Sequence, residues 1–443
     1  MAFASLVRPK VAIVGSGISG LMAAHALQGQ ADITLFEAGS YFGGHTHTVD
    51  MTLPTPQGPV TQGVDTGFLV FNERTYPNLI GLFSKLGVVT APSDMSFSVK
   101  VPDAHQGHTL EWSGSSLNTV FAQRRNLLNW KFLRMLRDIV RFNRMASALA
   151  EAHAEAAMMQ PLGDFLHTGQ FSDEFRDWYF LPMLACIWSC PTDQMLQFPV
   201  ATMIRFCHNH GLIQVTNRPR WWTVTGGAKH YVDKIIANIA DKRLNTAVRL
   251  IERDERLNRG GVRVVTEGQA EHFDKVVLAA HSDQSLALLQ NASVTERAVL
   301  GAIAYQPNRA VLHTDASVLP ANKRAWAAWN YERAQNNRRE STQVCLHYLL
   351  NMLQPLPFPQ PVMVSLNPVR PIMRSHIMGE FDYTHPVFDD AAIRAQKKLA
   401  SLQGRQHSYF CGAWTGFGFH EDGLKSGLQV AQQLLRDSAG ETR

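Results

Sequence analysis

Three glycines near the start of the chain, Gly15, Gly17 and Gly20, have the spacing of a turn that binds pyrophosphate. The first permits a tight turn, and the second lets a pyrophosphate approach the backbone. The third lets a helix pack against the preceding strand, and the N-terminus of that helix attracts the phosphate charge. Glu37 follows at a distance where a carboxylate can accept hydrogen bonds from ribose hydroxyls. We therefore predict a dinucleotide site, to which we also assign Ser16, Ile18, Ser19 and Ala38.

The segments around this turn predict a βαβ unit. Val11–Val14 is a short apolar run that is typical of a buried strand, and Leu21–Leu27 consists of strong helix formers. A second predicted strand, Ile33–Phe36, stops at Glu37. These elements follow one another within about 40 residues, as in a dinucleotide-binding unit. A glycine-rich turn without a ligand is the alternative, but the acid in register favours a dinucleotide.

A second glycine pair helps to distinguish NAD from FAD. Gly43 and Gly44 lie just beyond the predicted ribose acid, where a plain NAD domain does not require close approach of the backbone. A longer cofactor, whose flavin lies far from its adenine, does require it. The pair therefore favours FAD.

Three separated parts of the chain resemble the superfamily of flavin-containing amine oxidases and phytoene-desaturase-like enzymes. Glu37 with the second glycine pair, followed by Val64–Phe68, is similar to the FAD-binding half of those proteins. Tyr409–Trp414 and His420–Gly427 resemble their C-terminal flavin motif. Segments in the middle of the chain resemble their adenine-side segments, namely Val224–Gly227, Val248 and Asp274–Ala280.

The resemblance implies FAD as the cofactor. No cysteine lies where covalently flavinylated members carry theirs, so the FAD is expected to be non-covalent. Beyond the residues already named, the resemblance implies FAD contacts at His45, Thr46, Asp65, Gly67, Phe68, Val248, Ala279, Gly412, Ala413, Asp422, Gly423 and Ser426.

The chain departs from the superfamily pattern at two places. An arginine usually follows the second glycine pair, but His45 stands there in this chain. The lysine that many amine oxidases place before the flavin has no clear counterpart, and Arg309 lies nearest to where it would fall. These departures weaken the amine-oxidase assignment more than the flavin assignment.

Four residues are candidates for catalysis. Trp414 and Phe419 belong to a glycine-rich segment from which related enzymes form an aromatic cage, although each could equally be an ordinary core residue. His420 could polarise the flavin or act as an acid or base near neutral pH. Arg309 is the fourth candidate, by the resemblance described above.

More narrowly, the chain is similar to bacterial FAD-binding proteins that resemble the flavin-type domain joined to plant cyclopropane fatty-acid synthases. That resemblance implies an unsaturated or modified fatty-acyl lipid as substrate, oxidised by hydride transfer to flavin. Two alternatives remain open. One is an amine oxidase that acts on small amines and releases hydrogen peroxide, and the other is a non-catalytic flavin-binding accessory protein of a lipid methyltransferase.

The predicted fold class is α/β, with a Rossmann-like FAD-binding domain of the glutathione-reductase type and an inserted mixed α+β substrate domain. The FAD-binding domain is assigned to residues 1–79, 223–284 and 405–443, and the substrate domain to 80–222 and 285–404. The chain has 443 residues and ordinary globular composition, which excludes disordered and collagen-like classes. Further predicted elements are helices over Leu127–Leu149 and Phe175–Trp188, a hairpin over Val248–Val265 with Arg259 near its turn, and a strand over Asp274–Ala279.

No metal site is predicted. His45 and His47 alternate, as do His208 and His210, but no third ligand completes either pair. The five cysteines contain no CxxC pair, so buried free thiols are expected at Cys186, Cys190, Cys207, Cys345 and Cys411.

The net charge of +5 comes from one window of the chain. Residues 123–145 contain seven basic residues and one acid, and the rest of the chain is close to neutral. A basicity this local argues against nucleic-acid binding. On a helix the basic residues would form a stripe, which is either a solvated face or a peripheral contact with an anionic membrane. Because Met1–Arg8 lacks the apolar stretch of a signal peptide, we expect a cytoplasmic protein, which such a contact would place at the inner face of the membrane.

Overall fold

The computed structural model describes residues 8–105, 107–154, 160–188, 191–214, 218–253, 260–334 and 344–441. All the predicted FAD-binding and catalytic residues lie within these ranges. Cys190 and Arg259, which were named above, lie outside the described residues.

A five-stranded parallel sheet carries the glycine turn. Its strands, in spatial order, are Asp241–Arg243, Asp32–Phe36, Lys10–Val14, Lys275–Leu278 and Ser408–Phe410. The predicted βαβ unit is confirmed, with the helix Ile18–Leu27 between its two strands. In open sheets of this kind a ligand binds beyond the carboxyl ends of the strands, which is where the glycine turn lies.

The central strand of this sheet is buried on both faces because its side chains alternate. Val11 and Ile13 pack with the apolar side chains of the helices Ile18–Leu27 and His420–Glu441. Ala12 and Val14 point the other way. They pack on an antiparallel sheet formed by Val248–Glu252, Val262–Thr266 and Gln269–Phe273.

A seven-stranded mixed sheet forms the second large layer. Its strands, in spatial order, are Ile377–Pro386, Tyr305–His313, Met363–Leu366, Leu346–Leu349, Trp329–Glu332, Phe97–His105 and His108–Ser113. Neighbouring strands are antiparallel except for Trp329–Glu332 beside Phe97–His105. Helices cover one face of the sheet through a cluster of buried apolar side chains that includes Phe132 and Phe142.

The remaining elements connect these layers. Thr48–Thr55 and Gly58–Asp65 form a hairpin, and Trp221–Val224 lies between Phe71–Asn72 and Thr90–Ser93 in a small sheet. The other α-helices are Pro77–Leu86, Leu117–Val120, Trp130–Glu151, Leu162–Thr168, Asp173–Phe175, Leu181–Trp188, Thr192–Met195, Val200–Asn209, Lys229–Ile236, Ser282–Leu288, Val294–Leu300, Leu350–Leu353 and Asp390–Lys398. Turns of 3₁₀-helix are Arg124–Leu128, Ala316–Val318, Lys323–Ala325, Arg374–His376, Leu399–Ser401, Arg405–His407 and Ala413–Thr415.

Two predicted helices differ from those observed. The helix predicted over Leu127–Leu149 carries most of the basic residues of the segment 123–145 and is called the basic helix. It begins at Trp130 rather than Leu127, because the Asn129 side chain accepts hydrogen bonds from the first backbone N–H groups and caps the helix there. The helix predicted over Phe175–Trp188 contains a π-helical turn, Arg176–Phe180. Pro182 follows, and it has no backbone N–H to donate to the carbonyl oxygen of Trp178, four residues earlier. That oxygen accepts a hydrogen bond from Trp112 Nε1 at 3.3 Å instead.

The predicted hairpin over Val248–Val265 and the buried strand near Lys275 are confirmed. Among the described residues, no helix has the length and apolarity needed to cross a membrane. The strand Trp221–Val224 spans the predicted domain boundary and pairs with strands on both sides of it. The division into two domains stays a prediction.

Candidate functional site

The glycine turn leaves an open approach to the backbone. Gly15 has a φ of +101°, and a Cβ at this position would lie 2.8 Å from the carbonyl oxygen of Ala279, so only glycine fits. A Cβ on Gly20 would overlap the carbonyl group of Gly15. By contrast, a Cβ on Gly17 would have no neighbouring atom within 4 Å. Gly17 is therefore the point where a ligand can reach the backbone at the N-terminus of the helix.

Glu37 and Ser16 tie the two glycine turns together. Oε2 of Glu37 accepts hydrogen bonds from the Ser16 backbone N at 2.9 Å and from its Oγ at 2.5 Å. Oε1 accepts one from the Gly39 backbone N at 2.8 Å. The Gly43 backbone N donates to the carbonyl oxygen of Ser16 at 3.1 Å. Since each carboxylate oxygen can accept two hydrogen bonds, Glu37 retains acceptor capacity for a ribose hydroxyl.

A cavity of about 570 Å³ extends from the glycine turn. Most of the predicted site residues line it. They are Gly15, Ser16, Gly17, Ile18, Ser19, Glu37, Ala38, Gly43, Gly44, His45, Gly67, Phe68, Val248, Ala279, Gly412, Ala413, Trp414, Phe419 and His420.

Six predicted FAD-binding residues do not line the cavity, namely Gly20, Thr46, Asp65, Asp422, Gly423 and Ser426. Asp65 is buried and accepts hydrogen bonds from the Ala228 backbone N at 2.9 Å and from Gln354 Nε2 at 2.7 Å. Burial raises the pKa of Asp65 to about 7, although these hydrogen bonds oppose the shift. Asp65 therefore stabilises the structure next to the cavity through these hydrogen bonds and does not line the cavity itself.

Asp422 and Ser426 hold the C-terminal loop that carries the aromatic candidates. Oδ2 of Asp422 accepts hydrogen bonds from the backbone N–H groups of Phe417 and Phe419, both at 3.0 Å. Ser426 Oγ accepts one from the Gly412 backbone N at 3.0 Å. Burial raises the pKa of Asp422 to about 6. The loop therefore presents Phe419 to the cavity in a fixed position.

His420 lies at the start of the last helix with its ring held from two sides. It stacks on Phe68 with ring centroids 3.8 Å apart, and its Nε2 lies 2.7 Å from the hydroxyl oxygen of Tyr231. The Tyr231 hydroxyl also lies 2.5 Å from Thr46 Oγ1, which gives Thr46 a supporting position. Burial lowers the pKa of His420 to about 3, so the ring is neutral at pH 7.

Three cavity histidines were not predicted as site residues, namely His210, His281 and His385. The ring of His385 lies 5.4 Å from that of His45, and its Nδ1 lies 3.0 Å from Asn308 Nδ2. Burial lowers the pKa of His385 to about 4 and that of His45 to about 3. His281 could have been found from sequence, because it follows the carboxyl end of a strand in the parallel sheet. His385 had no such local signal.

The rest of the cavity wall is apolar and aromatic. It is formed mainly by residues that the sequence analysis did not assign to the site, namely Met95, Ile187, Phe206, His210, Leu212, Trp221, Trp329 and Tyr348. Phe206 stacks on Phe419 with ring centroids 4.9 Å apart, which joins this wall to the C-terminal loop. Burial lowers the pKa of His210 to about 4. Among the described lining residues, Glu37 is the single carboxylate and there is no lysine or arginine.

The sequence matches the family model of flavin-containing amine oxidoreductases over residues 18–312, which is more than half of the chain. The chain belongs to this family. It is therefore an FAD-dependent oxidoreductase of the amine-oxidase type, as the resemblance implied. A comparison with proteins of curated function found no match.

Solved structures of other enzymes share the fold of this one. A CLA-producing fatty acid isomerase from P. acnes has a TM-score of 0.65 and 15% identity, with 96% of this chain and 98% of that chain covered. Cyclohexylamine oxidase from Brevibacterium oxydans IH-35A has a TM-score of 0.64 and 16% identity, with 97% and 99% covered. Wild-type putrescine oxidase bound to putrescine has a TM-score of 0.64 and 14% identity, with 97% and 99% covered. At these identities the likeness shows the Rossmann-type FAD fold alone.

The residues of this flavoenzyme fit FAD. The open side of Gly17 leaves room for a pyrophosphate, and Glu37 retains acceptor capacity for the ribose. Nε2 of His45 is buried and has no hydrogen-bond partner among the described residues. A buried polar atom normally has a partner, so the orphaned nitrogen at the cavity wall is consistent with a ligand atom there.

Arg309 lies apart from the cavity. Its side chain is half-exposed and forms an ion pair with Glu380 at 2.7 Å. The strand Tyr305–His313 carries it on a face that is open to solvent at this position. We therefore do not retain the expected catalytic role for Arg309 in the proposed function.

Two arginines of the basic helix lie close to acidic side chains of the same chain. Arg134 forms an ion pair with Glu174, and Arg141 approaches the buried acid Asp138 at 3.6 Å. Arg137 remains mostly exposed. The stripe is therefore less available to an external partner than its sequence indicated.

A second group of polar side chains lies inside the seven-stranded sheet. Glu332, Cys345 and His347 are buried, and their ligand atoms are close enough together to suit a metal ion. However, Lys100 Nζ lies 3.0 Å from Glu332, and an Arg370 nitrogen lies 3.4 Å from it. These two cations already compensate the carboxylate, so the group is better described as a buried ion-pair network. The described cysteines Cys186, Cys207, Cys345 and Cys411 are buried, as predicted, and none of them forms a disulfide within the described part of the chain.

Proposed function

We propose that this flavoenzyme oxidises a hydrophobic substrate, an unsaturated or modified fatty-acyl lipid. The observation that supports the proposal is that the described lining residues of the cavity, apart from Glu37, include no carboxylate, lysine or arginine. The histidines there do not supply charge, since burial lowers the pKa values of His45, His210, His385 and His420 to between about 3 and 4. An uncharged apolar wall stabilises an acyl chain by the hydrophobic effect.

The protein's own residues bind the cofactor, orient the substrate and keep water away from both. When bound, FAD supplies the acceptor for a hydride, and the glycine turns with Glu37 hold its phosphates and ribose. Phe419 and Phe206 form a wall that excludes water from the acyl chain. His420 is held by Phe68 and Tyr231, so as a neutral ring it can orient a hydrogen bond at the site.

A small amine is the competing substrate class. The fold is shared with cyclohexylamine oxidase and putrescine oxidase, and aromatic side chains such as Trp221 and Trp329 could face a cation. An amine is cationic at neutral pH and gains most from a carboxylate nearby. Glu37, the carboxylate of the cavity, accepts hydrogen bonds from Ser16 and Gly39 at the cofactor end. The geometry therefore favours the acyl chain.

The fold shared with a fatty acid isomerase also supports a lipid substrate. The narrower likeness to the flavin-type domain of plant cyclopropane fatty-acid synthases stays a prediction. The proposal also includes peripheral contact with an anionic membrane through the segment 123–145, which would bring the enzyme to its lipid.

Binding is the first test of the substrate class. FAD-loaded enzyme should show a saturable change in its flavin absorption spectrum when a long-chain unsaturated fatty acid is added without oxygen. Cyclohexylamine and putrescine should leave the spectrum unchanged at the same concentrations. A saturable response to either amine, with none to the fatty acid, would overturn the proposed lipid substrate.

A further inference from the structure

Several large apolar side chains near the start of the basic helix are exposed. Leu128 is 91% exposed and Trp130 is 60% exposed. Leu117, Leu127 and Leu133 are also exposed, and together these five residues are called the apolar tip. Apolar side chains this exposed on a short segment are typical of a surface that meets a membrane or a partner.

The charge around the apolar tip is positive. The sequence contains no acidic residue between Glu111 and Asp138, and Glu111 is buried. Arg124 donates to the backbone carbonyl of Phe121 and to Asn118, and Arg125 donates to a backbone carbonyl at 2.9 Å, so these contacts leave both positive charges uncompensated. The adjacent turn Lys323–Ala325 packs on the helix Leu117–Val120 and adds the exposed cations Lys323 and Arg324.

A second cavity of about 270 Å³ opens beside the apolar tip. Arg125, Asn126 and Leu128 line it, together with Trp178. Asn126 is only 2% exposed, and its Nδ2 is buried without a hydrogen-bond partner among the described residues. A buried amide donor without a partner is unfavourable because it has lost its hydrogen bonds to water, so a ligand acceptor at this place would remove that penalty.

We propose that this second cavity binds the phosphate of an anionic phospholipid while the apolar tip inserts into the same bilayer. The inference rests on the proposed membrane contact and deepens it by naming the lipid group and its site. Arg125 has donors left beyond the one used by Thr109, and with Asn126 Nδ2 it can hold phosphate oxygens. Leu128 lines the cavity and is also exposed, so it joins the headgroup site to the inserted surface.

The combination of an apolar tip with a cationic cavity favours a lipid over a soluble phosphate. A soluble anion would gain from Arg125 and Asn126 but would leave Leu127, Leu128 and Trp130 exposed to water. Leucine and tryptophan beside arginine and lysine are the side chains that enter the interface of an anionic bilayer.

The test measures binding of the FAD-loaded enzyme to vesicles by co-sedimentation. One set contains phosphatidylcholine alone, and the other is an equal mixture of phosphatidylcholine and phosphatidylglycerol. We expect tighter binding to the mixed vesicles. Arg125→Gln should weaken that binding about fivefold, the equivalent of ~1 kcal/mol for one cation near the surface. Arg297→Gln removes an exposed arginine on the helix Val294–Leu300, outside the segment 123–145, and is the matched control, which should change binding less than twofold.

Asn126→Asp tests the cavity itself, because a carboxylate in place of the amide would repel a phosphate. We expect loss of the preference for the mixed vesicles. Equal effects of Arg125→Gln and Arg297→Gln would overturn the headgroup site in favour of diffuse attraction. Full displacement from the vesicles by glycerol 3-phosphate would overturn the lipid as the source of the phosphate.

A separate variant tests whether the apolar tip contacts a membrane at all. The double variant Leu128→Ser with Trp130→Ser should lose binding to both vesicle types and keep its FAD content. If it binds vesicles as the unmodified enzyme does, the membrane contact itself is wrong, whatever the result for Arg125. The flavin spectrum with fatty acid tests the substrate proposal independently of both.

Discussion

The imidazole of His420 stacks on the phenyl ring of Phe68, with centroids 3.8 Å apart and planes inclined by 12°. The two residues come from opposite ends of the chain and meet at the cavity wall. Tyr231 fixes the same imidazole through its hydroxyl group. The histidine is therefore packed as a neutral aromatic ring, and its titration is linked to folding.

That linkage predicts a pH effect on stability. Burial lowers the pKa of His420 from 6.5 to about 3, so between these values the unfolded chain binds a proton that the folded chain does not. The free energy of unfolding must then fall as the pH drops below about 6.5. His420→Gln removes this contribution, and the loss of stability between about pH 7 and pH 5 should be smaller by about 1 to 2 kcal/mol.

Denaturant unfolding of the apoprotein at both pH values measures the difference. His167→Gln, which removes an exposed imidazole, is the control. An equal loss of stability in the enzyme and in His420→Gln would show that His420 titrates normally in the folded state.

Gly17→Ala should separate FAD binding from folding. A Cβ at Gly17 meets no protein atom within 4 Å and its φ of −62° is allowed for alanine, so the fold should keep its stability. The added methyl group would occupy the space that a pyrophosphate needs, and we expect about tenfold weaker FAD binding, or ~1.4 kcal/mol. Gly81→Ala is the matched control, since its Cβ also meets no neighbour. Unchanged FAD affinity in Gly17→Ala would place the cofactor elsewhere.

Met95→Glu tests whether the uncharged wall selects the substrate. The new carboxylate would lie at the cavity wall, where it should weaken binding of a fatty acid about tenfold by repulsion and desolvation. Met95→Leu conserves volume and polarity and should behave like the unmodified enzyme. Spectral titration of the bound flavin gives both affinities. Equal affinity in Met95→Glu would show that the acyl chain does not reach this wall.

Arg309→Ala should have little effect. Arg309 is half-exposed and pairs with Glu380 outside the cavity, and an exposed ion pair contributes about 0 to 1 kcal/mol. Stability and the rate of flavin reduction should both stay close to those of the unmodified enzyme. A large loss of reduction rate with normal FAD content would restore Arg309 as a catalytic candidate.

The sequence predicted the parts of the site that depend on short-range geometry. Gly15, Gly17 and Glu37 lie within one βαβ unit, where chain direction and strand length fix their positions. The apolar wall could not be predicted in the same way. Ile187 and Trp329 are distant in sequence and meet only through packing of the helices on the seven-stranded sheet.

The basic stripe shows a related limit of sequence patterns. Helical spacing placed Arg134 and Arg141 on one face, but Glu174 and Asp138 compensate them in the folded chain. The partner acid of Arg134 comes from another helix, so no local pattern could have revealed it.

Anaerobic reduction of the bound FAD tests the central claim most directly. Enzyme loaded with FAD is mixed without oxygen with an unsaturated fatty-acyl lipid, and the flavin absorbance at ~450 nm is followed with time. The account predicts bleaching by the lipid and none by cyclohexylamine or putrescine. Bleaching by an amine with none by any acyl lipid would contradict it.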